Sequence, residues 1–403
     1  MNTHHGAGAV APIESHRLYF DGVGSEYFRV WLKSLVLGIV TLGLYAPWAV
    51  RRNARYFYGR LEVAGSPLDF TLPLWRLVLG IALVLGLCGA CELAAPNALA
   101  RMLPMAGPSM LLLLPWAWGS ATRMRLGHIR WRGLSLNLRA GWGEVYTAAW
   151  PLFALALLWA FVGPTFAALA PGLQLRETGA GRFAGPAALL LLSGLLTSLW
   201  LARLCFNWKR LMVRRAQVGS EVGHWRLDFS PFLRIAMASL GIFALSLAAA
   251  AAACALAARF GLLPEWHGGS AQDAPLVIAA PLLGVLVFVP ALAYHDARTF
   301  RLVWNHIGVG RLARCRCSLR TRDYVLLRLR NGALTALTLG LYLPFSQLQR
   351  WHMKAASLTL HVRGDADELA DTLARQHAAF FGSAATEAHR LEFLSATMPV
   401  STR

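Results

Sequence analysis

Two pairs of side chains in this sequence have types and a spacing that could support chemistry. Cys88 and Cys91 form a C-x-x-C pair, and one helical turn would place both sulfurs on one face, where they could act as a redox pair or bind a metal. His295 and Asp296 are adjacent near the end of an apolar block, where an acid–histidine pair could relay protons or bind a cation. We favour a structural interpretation of both pairs: small side chains packed in a helix, and polar groups at the level of the lipid headgroups.

Two aspartates form the next group. Asp69 and Asp228 each lie in a Leu-Asp-Phe tripeptide at the end of an arginine-rich stretch. The default interpretation is that each aspartate forms a salt bridge with a neighbouring arginine-rich stretch. The more specific hypothesis is that both aspartates, together with His295 and Asp296, form a polar rim around a substrate path. The run at residues 21–24 lacks the length and the lysine of a P-loop and predicts a turn. The sequence contains no catalytic triad and no nucleotide fingerprint, so we expect no enzyme activity, no cofactor and no metal.

The elements that position these groups follow from composition. Of the 403 residues, 56% are hydrophobic and only 15% are charged, and a soluble chain of this length would need more polar surface. Six apolar blocks are long enough to cross a bilayer as helices: residues 73–95, 105–122, 145–170, 185–206, 232–260 and 274–297. We therefore predict an all-α polytopic membrane protein with six transmembrane helices.

The net charge of +19 is concentrated in basic arms between alternate blocks, whereas the three short links at residues 96–104, 171–184 and 261–273 are poor in positive charge. The positive-inside rule places the arms and both termini in the cytoplasm. Arginines alternate with aromatic residues in the arms, which favours anionic phospholipid headgroups as partners. The arms lack a nucleic-acid-binding motif, so we expect no nucleic-acid partner, and the sequence identifies no protein partner.

An internal repeat adds two further membrane elements. The octapeptide TLGLYAPW at residues 41–48 recurs as TLGLYLPF at residues 338–345, in a register that extends outward on both sides. The uncharged stretch of each copy is short for a membrane span, and basic residues lie at both of its ends. Re-entrant or short hairpins are therefore favoured over eight full spans. Gly/Pro-interrupted segments in matching positions are typical of transporter pathways. The candidates for the pathway or the repeat hinge are Gly43, Tyr45, Pro47, Gly340, Tyr342 and Pro344.

The repeat also carries specific expectations about the backbone. Pro47 and Pro344 are expected to end or kink their helices at the preceding residue. Gly43 and Gly340 are expected to let a neighbouring backbone approach closely. We further expect the two copies to pack near each other around a pseudo-symmetry axis.

Alternation of period two in the arms predicts short strands. It occurs at Leu61 and Val63, at residues 134–138 and 358–362, and near residues 17–22. We expect these strands to form a small cytoplasmic β-cap. The predicted organisation is an N-terminal segment (1–29), repeat copy 1 with its arm (30–72), a six-span core (73–322), repeat copy 2 with its arm (323–363) and a soluble tail (364–403).

The repeat, the DGVGSEYF run at residues 21–28 and the YFYG at residues 56–59 together resemble the YjgN-like family of bacterial inner-membrane proteins of unknown function. The resemblance is strongest at residues 18–70 and 323–361, while the middle shares only the layout of spans and arms. It implies an inner-membrane location and supplies no catalytic residues. Two hypotheses remain: a transporter or channel-like protein for an anionic or amphiphilic solute, and a non-transporting scaffold that binds anionic lipid or partner proteins through its basic arms.

Overall fold

The computed structural model describes residues 13–75, 78, 98–132, 134–174, 180–218, 221–261, 274–309, 313–364, 371, 372 and 375. Within these ranges the chain forms ten helices and eleven short strands. The protein is mostly helical, as predicted, but the strands form a larger and more continuous sheet than a few capping strands.

The strands fall in the arms. They are β1 (Ile13–Arg17), β2 (Tyr19–Phe20), β3 (Leu61–Val63), β4 (Ser66–Phe70), β5 (Ile129–Trp131), β6 (Leu134–Leu138), β7 (Ala216–Val218), β8 (Glu221–Trp225), β9 (Ile307–Val309), β10 (Ala313–Cys317) and β11 (Leu358–Arg363). The helices are α1 (Gly24–Val40), α2 (Ala46–Gly59), α3 (Ala98–Gly127), α4 (Trp142–Ala148), α5 (Trp150–Gln174), α6 (Ala180–Arg215), α7 (Ser230–Arg259), α8 (Ala274–His306), α9 (Thr321–Leu337) and α10 (Leu343–Ala356).

The sheet closes on itself. Its order is β1-β11-β10-β9-β8-β7-β6-β5-β4-β3-β2, and every neighbouring pair is antiparallel. The two strands at the ends of this order, β1 and β2, are separated in the chain by Leu18 alone, whose N–H donates to the carbonyl oxygen of Leu358 at 3.1 Å. The continuous segment 13–20 therefore joins both ends of the strand order, and we call the resulting closed arrangement the strand ring.

The ring organises the helices into five units. In each unit the strand that precedes a helical segment pairs with the strand that follows it: β2 with β3, β4 with β5, β6 with β7, β8 with β9, and β10 with β11. Each helical segment therefore leaves from the sheet and returns to it. The basic arms consist of the helix ends next to the sheet and of the β-hairpins and short loops that connect one unit to the next.

The internal repeat is confirmed in the backbone. Helices α1 and α2 begin and end at positions that correspond, residue for residue, to those of α9 and α10. The break between the two helices has the same left-handed pair of residues in both copies, Leu42 (φ 50°) and Gly43 (φ 89°) in the first and Leu339 (φ 49°) and Gly340 (φ 95°) in the second. Each copy is thus a helical hairpin with a glycine turn.

Two expectations about the hinge are wrong. Pro47 and Pro344 lie in the first turn of the second helix, where a missing N–H costs little, and the preceding helices already end at Val40 and Leu337. The Gly43 position faces no atom of the described chain within 4 Å, so it does not serve close packing. The glycines provide the positive φ of the turn, and the prolines start the returning helix.

Three helices in the described residues are long and apolar enough to cross a membrane: Ala188–Arg215, Ser230–Arg259 and Ala279–His306. A fourth span is made if the bent pair Trp142–Ala148 and Trp150–Phe166, at 44°, acts as one. The predicted block at 73–95 lies mostly outside the described residues, and the block at 105–122 lies within α3. The total of six spans plus two repeat elements stays a prediction.

The core lies between the inner face of the ring and the helices that rise from it. The predicted alternation is confirmed in β6 and β11, where Leu134, Leu138, Leu358 and Val362 are buried. Asn137, Thr359 and His361, which lie between or beside them, are half-buried, as expected when successive side chains alternate between faces. One core cluster joins the first and last units, with Phe20, Tyr27 and Phe57 packed against Leu348 and Ala355.

Candidate functional site

The two repeat copies lie side by side, as predicted. The rings of Phe28 and Phe345 stack with centroids 5.5 Å apart, and the hydroxyl of Tyr27 donates to Oε1 of Gln347 at 2.7 Å. Tyr27 is only 1% exposed. Burial, assisted by the neighbouring Tyr56 and opposed by Arg350, raises the pKa of Tyr27 to about 12. The contact between the copies is therefore a packed aromatic interface.

Tyr324 is the equivalent of Tyr27 in the second copy, and it binds a different group. Its hydroxyl donates to Oδ2 of Asp296 at 2.5 Å, and Lys354 Nζ donates to both carboxylate oxygens at 3.0 and 2.9 Å. The Lys354 ammonium also lies 4.9 Å from the ring centroid of Phe300 and 5.4 Å from that of Tyr324. Burial and the hydrogen bond to Asp296 raise the pKa of Tyr324. Asp296 is thus a counter-ion for Lys354, held by a tyrosine.

Two more cations surround this group. Arg350 lies one turn before Lys354 on α10, and its Nε donates to the carbonyl of Ser346 at 3.3 Å. Burial and the neighbouring Arg328 lower the pKa of Arg350. In the part of the chain that the structure describes, neither arginine has a carboxylate within 4.0 Å. Three cations therefore share one carboxylate.

This group borders a cavity of about 440 Å³ at the point where the ring closes, which we call the closure cavity. Helix α10 contributes polar and aromatic side chains to this cavity, and α8 contributes the aromatic ring of Phe300. The strands and the residue between β1 and β2 contribute leucines from both the first and the last unit. The lining residues are Leu18, Leu61, Phe300, Gln347, Arg350, Trp351, Lys354, Ala355 and Leu358. A concave site with an apolar wall and a few polar groups fits one molecule with an anionic head and an apolar body.

Three further cavities, the boundary pockets, lie where the apolar helices meet the sheet. The first, of about 720 Å³, lies between α4, α6 and β8. Its arginines are Arg210, Arg214 and Arg215. Its one carboxylate belongs to Glu144, which forms an ion pair with Arg215. Two arginines of this pocket therefore remain for a ligand.

The second boundary pocket adjoins the first and has a volume of about 430 Å³. It shares two arginines with the first, and its charged lining residues are Arg203, Arg210, Arg214, Arg226 and Asp228. The Arg203 guanidinium lies 4.8 Å from the ring centroid of Phe229 and 5.6 Å from that of Phe206. Cation–π attraction to these aromatic faces holds the guanidinium at this pocket.

The third boundary pocket, also about 430 Å³, lies between α7 and α8. Arg234, Arg298 and Arg301 line it together with His306, and no carboxylate is among its described lining residues. Every boundary pocket thus has more cations than carboxylates. Guanidinium groups bind phosphate and carboxylate oxygens through paired hydrogen bonds, so all three pockets suit anionic groups.

The four residues predicted to form a polar rim do not come together. Asp228 lies in the second boundary pocket. Asp69 is exposed on β4, opposite Arg130 in the register of β5, and neither aspartate forms an ion pair with a described residue. His295 faces a groove of about 350 Å³ between α6, α7 and α8, whereas Asp296 faces the last unit. Their predicted role in a substrate path stays a prediction.

The hinge candidates lie at the tips of the two hairpins. The backbone N–H groups of Tyr45 and Tyr342 donate to the Thr41 and Thr338 hydroxyls, each at 3.0 Å. The Tyr45 ring stacks on Trp48 at 6.0 Å, and the equivalent Tyr342 ring stacks in the same way on α10. At 1.5 Å per residue, Tyr342 is about 12 Å along the chain from Arg350. The tips are therefore separate from the closure cavity.

The cations of the closure cavity were missed as a site, although the repeat contains a signal for them. The copy 1 positions that correspond to Arg328, Arg350 and Lys354 hold Trp31, Asn53 and Phe57. Three positions that are neutral in the first copy are thus positive in the second. Only the fold shows that Arg350 and Lys354 line one cavity, with Asp296 bound to Lys354 and Arg328 near Arg350.

Two predicted features lie outside the described residues. These are the Cys88–Cys91 pair and most of the predicted soluble tail at residues 364–403. Cys315 is described: it lies on β10, and burial together with the neighbouring Cys317 raises the pKa of its thiol to about 11. A thiol in this state is a packing group and a poor nucleophile.

The chain belongs to a family of bacterial proteins of unknown function (DUF898), whose family model matches residues 15–388. The inner membrane protein YjgN of Escherichia coli K12 is 38% identical over 58 residues, which are 14% of this chain and 15% of that protein. The inner membrane protein YjgN of Salmonella typhimurium LT2 is 34% identical over 70 residues, 17% of this chain and 18% of that protein. The chain therefore matches less than a fifth of the length of these curated relatives. No solved structure matches it.

Proposed function

We propose that this protein is an integral protein of the bacterial inner membrane that binds anionic lipid headgroups where its helices meet the strand ring. The observation that carries the proposal is the excess of cations in the boundary pockets. The third pocket has three arginines and no carboxylate among its described lining residues. The proposal belongs to the scaffold class, because it requires binding and no movement of lipid across the membrane.

A membrane location is supported by the exposed surface of the hairpin tips. Leu42 is 95% exposed and Leu339 is 79% exposed. Ile39, Val40, Leu44 and Leu341 extend the same apolar surface. A continuous exposed apolar patch is unfavourable in water and stable in hydrocarbon. The names of the relatives and the three or four candidate spans point the same way.

The unit organisation supports the topology with six spans and two re-entrant hairpins. All five helical segments start and end at one sheet, so each must return to the side from which it came. The three middle segments contain the long apolar blocks, and the first and last turn back at Gly43 and Gly340. Because the arginine-rich arms belong to the sheet, the positive-inside rule places the sheet and both termini in the cytoplasm. This arrangement favours re-entrant repeats over eight full spans.

The pockets then lie at the depth of the inner-leaflet headgroups. A basic residue near an anionic membrane surface contributes about 1 kcal/mol to lipid attraction. Bidentate contacts from arginine to phosphate add geometric specificity. The first and second pockets share Arg210 and Arg214, so these two side chains should dominate lipid binding in this region.

The test compares binding of phosphatidylglycerol and phosphatidylcholine to the purified protein by native mass spectrometry. An Arg210→Gln/Arg214→Gln variant should bind phosphatidylglycerol about tenfold or more weakly, since two charges of about 1 kcal/mol each are removed. The matched control is Arg314→Gln/Arg316→Gln, which removes the same charge from the exposed face of β10. Equal losses in both variants, or no preference for the anionic lipid, would refute the proposal.

A carrier for an anionic amphiphile is the second candidate, and the closure cavity between the first and last units favours it. The packed aromatic contact between the hairpins weighs against it. Flux of a fluorescent anionic lipid in proteoliposomes tests it. A carrier that uses the hinges should lose most of its flux in the Tyr45→Ala/Tyr342→Ala variant, and equal flux in that variant would remove the hinges from the pathway.

A further inference from the structure

We infer that the closure cavity is a single binding site for the phosphate group of an amphiphile, anchored by Arg350 and Lys354, which line it. The inference rests on the proposed function and deepens it, because it assigns one cavity and one ligand group. The boundary pockets are lined by the long apolar helices and the strands next to them, whereas this cavity lies where the first and last units meet. It should therefore hold one ligand per chain.

Charge is the first reason. Asp296 balances Lys354 through two hydrogen bonds of 3.0 and 2.9 Å. Arg350 and Arg328 then remain as two partly buried cations close enough to lower the pKa of Arg350. Like charges in a partly desolvated site are unfavourable until an anion joins them. A phosphate in the cavity has enough oxygens to accept from the Arg350 guanidinium and the Lys354 ammonium, both of which line it.

Shape is the second reason. The cavity volume of about 440 Å³ falls within the range of small-molecule sites, and a phosphate group alone would leave much of it empty. Trp351 and Phe300 form an aromatic wall, and leucines from β3 and β11 continue it. This apolar surface suits the glycerol and first acyl segments of a lipid. Inorganic phosphate would use the cations and leave this wall without contacts.

The repeat is the third reason. In the first copy the corresponding positions are Trp31, Asn53 and Phe57, and Phe57 is buried in the core. The position that is a buried aromatic residue in the first copy is thus Lys354 in the second, and Lys354 and Arg350 both line the cavity. Gln347 completes the site. Its Oε1 accepts a hydrogen bond from the Tyr27 hydroxyl at 2.7 Å, so Tyr27 of the first unit holds the Gln347 side chain of the last unit in place.

The experiment measures binding of phosphatidic acid and of inorganic phosphate to the full-length protein in nanodiscs of phosphatidylcholine. Wild type should bind one phosphatidic acid with saturation, and Arg350→Gln should weaken it at least tenfold, as expected for a charged hydrogen bond. Arg210→Gln/Arg214→Gln is the matched control and should keep this single site. Competition by millimolar phosphate identifies the phosphate group itself as the recognised unit, and lack of competition identifies the whole amphiphile.

A second variant separates lost binding from lost folding. Gln347→Glu retains the acceptor for Tyr27 and adds a carboxylate to the cavity that Arg350 and Lys354 line. It should abolish binding of phosphatidic acid while its melting temperature without ligand stays at or above that of wild type. Unchanged binding in both Arg350→Gln and Gln347→Glu would overturn the inference. If Arg210→Gln/Arg214→Gln still weakens binding of phosphatidylglycerol, the proposed function survives that result. If that variant binds phosphatidylglycerol like wild type while Arg350→Gln weakens binding of phosphatidic acid, the proposed function fails and the inference about the closure cavity stands.

Discussion

Tyr27 and Tyr324 occupy the same position in two helical hairpins and are 1% and 0% exposed, yet their hydroxyls donate to chemically different acceptors. Tyr27 donates to the neutral amide of Gln347, and Tyr324 donates to the carboxylate of Asp296. Arg350 is within electrostatic reach of both tyrosines. The two copies thus have the same backbone arrangement, while the charged groups lie next to the tyrosine of the second copy.

Tyr27→Phe should destabilise the protein at pH 8 and less so at high pH. Loss of the hydrogen bond to Gln347 costs about 1 kcal/mol. The unfolded phenol ionises near pH 10, whereas the pKa of the folded phenol is about 12. The unfolded state therefore binds fewer protons between these values, and this contribution of Tyr27 is lost as pH rises from 10 to 12, by about 3 kcal/mol in total, since each pKa unit corresponds to about 1.4 kcal/mol.

Thermal unfolding of wild type and Tyr27→Phe at pH 8 and pH 11 measures this difference. The gap between the two melting temperatures should narrow at pH 11, because Tyr324 titrates in both proteins and cancels. A gap that stays constant or widens would show that Tyr27 has an ordinary pKa in the folded protein.

Gly43→Ala should destabilise the first hairpin by about 1 kcal/mol or more, because a left-handed backbone at φ 89° is unfavourable for a residue with a Cβ. Gly38→Ala is the matched control. Gly38 lies inside α1 with no described atom within 4 Å of its added Cβ, so alanine there should be neutral or slightly stabilising. Thermal unfolding compares the two, and equal effects would reject the glycine turn.

A spin label at Leu42 or Leu339 should report a hydrocarbon environment. Both side chains are at hairpin tips and are largely exposed in the protein, so we expect lipid to cover them. Single-cysteine variants, labelled in proteoliposomes, should relax more with oxygen than with a water-soluble nickel chelate. A label at Tyr19 on the sheet, which is also an exposed position, should relax more with the nickel chelate than with oxygen. Water accessibility at Leu42 would remove the re-entrant topology.

The pair of Asp296 and Lys354 should be coupled by about 1 kcal/mol, since it is hydrogen bonded but partly exposed to solvent. A double-mutant cycle with Asp296→Asn and Lys354→Met gives the coupling from unfolding in detergent. The same cycle between Asp296→Asn and Arg314→Gln, on the exposed face of β10, should give a value near zero. Equal coupling in the two cycles would mean that the pair does not form.

The local features of the fold could be read from the sequence. Residues 134–138 alternate apolar and polar side chains, and they form β6. The TLGLY copies share their turn residues, and they form matched hairpins. Both signals depend on spacing within a few residues. The hinge assignment failed because proline and glycine both disfavour helix, and the sequence does not show which of them turns the backbone.

Ring closure and the closure cavity depend on contacts between distant segments. Leu18 meets Leu358 only because β1 and β2 pair with opposite ends of the strand order. Lys354 and Asp296 are likewise brought together, because α9 packs against both α8 and α10. Adjacent residues can also separate: His295 and Asp296 face different sides of α8. Adjacency in the sequence therefore did not show that these two side chains lie on different sides of one helix.

Closure of the ring between β1 and β11 brings the two repeat copies together and creates the closure cavity. A disulfide tests it most directly, between Ser15→Cys and His361→Cys, which are register partners, in a background without the six native cysteines. Facing positions of paired antiparallel strands are close enough to cross-link. We predict rapid intramolecular cross-linking under mild oxidation and little between Ser15→Cys and Arg130→Cys of β5. Failure of the first pair, or equal yields from both, would contradict the closed ring.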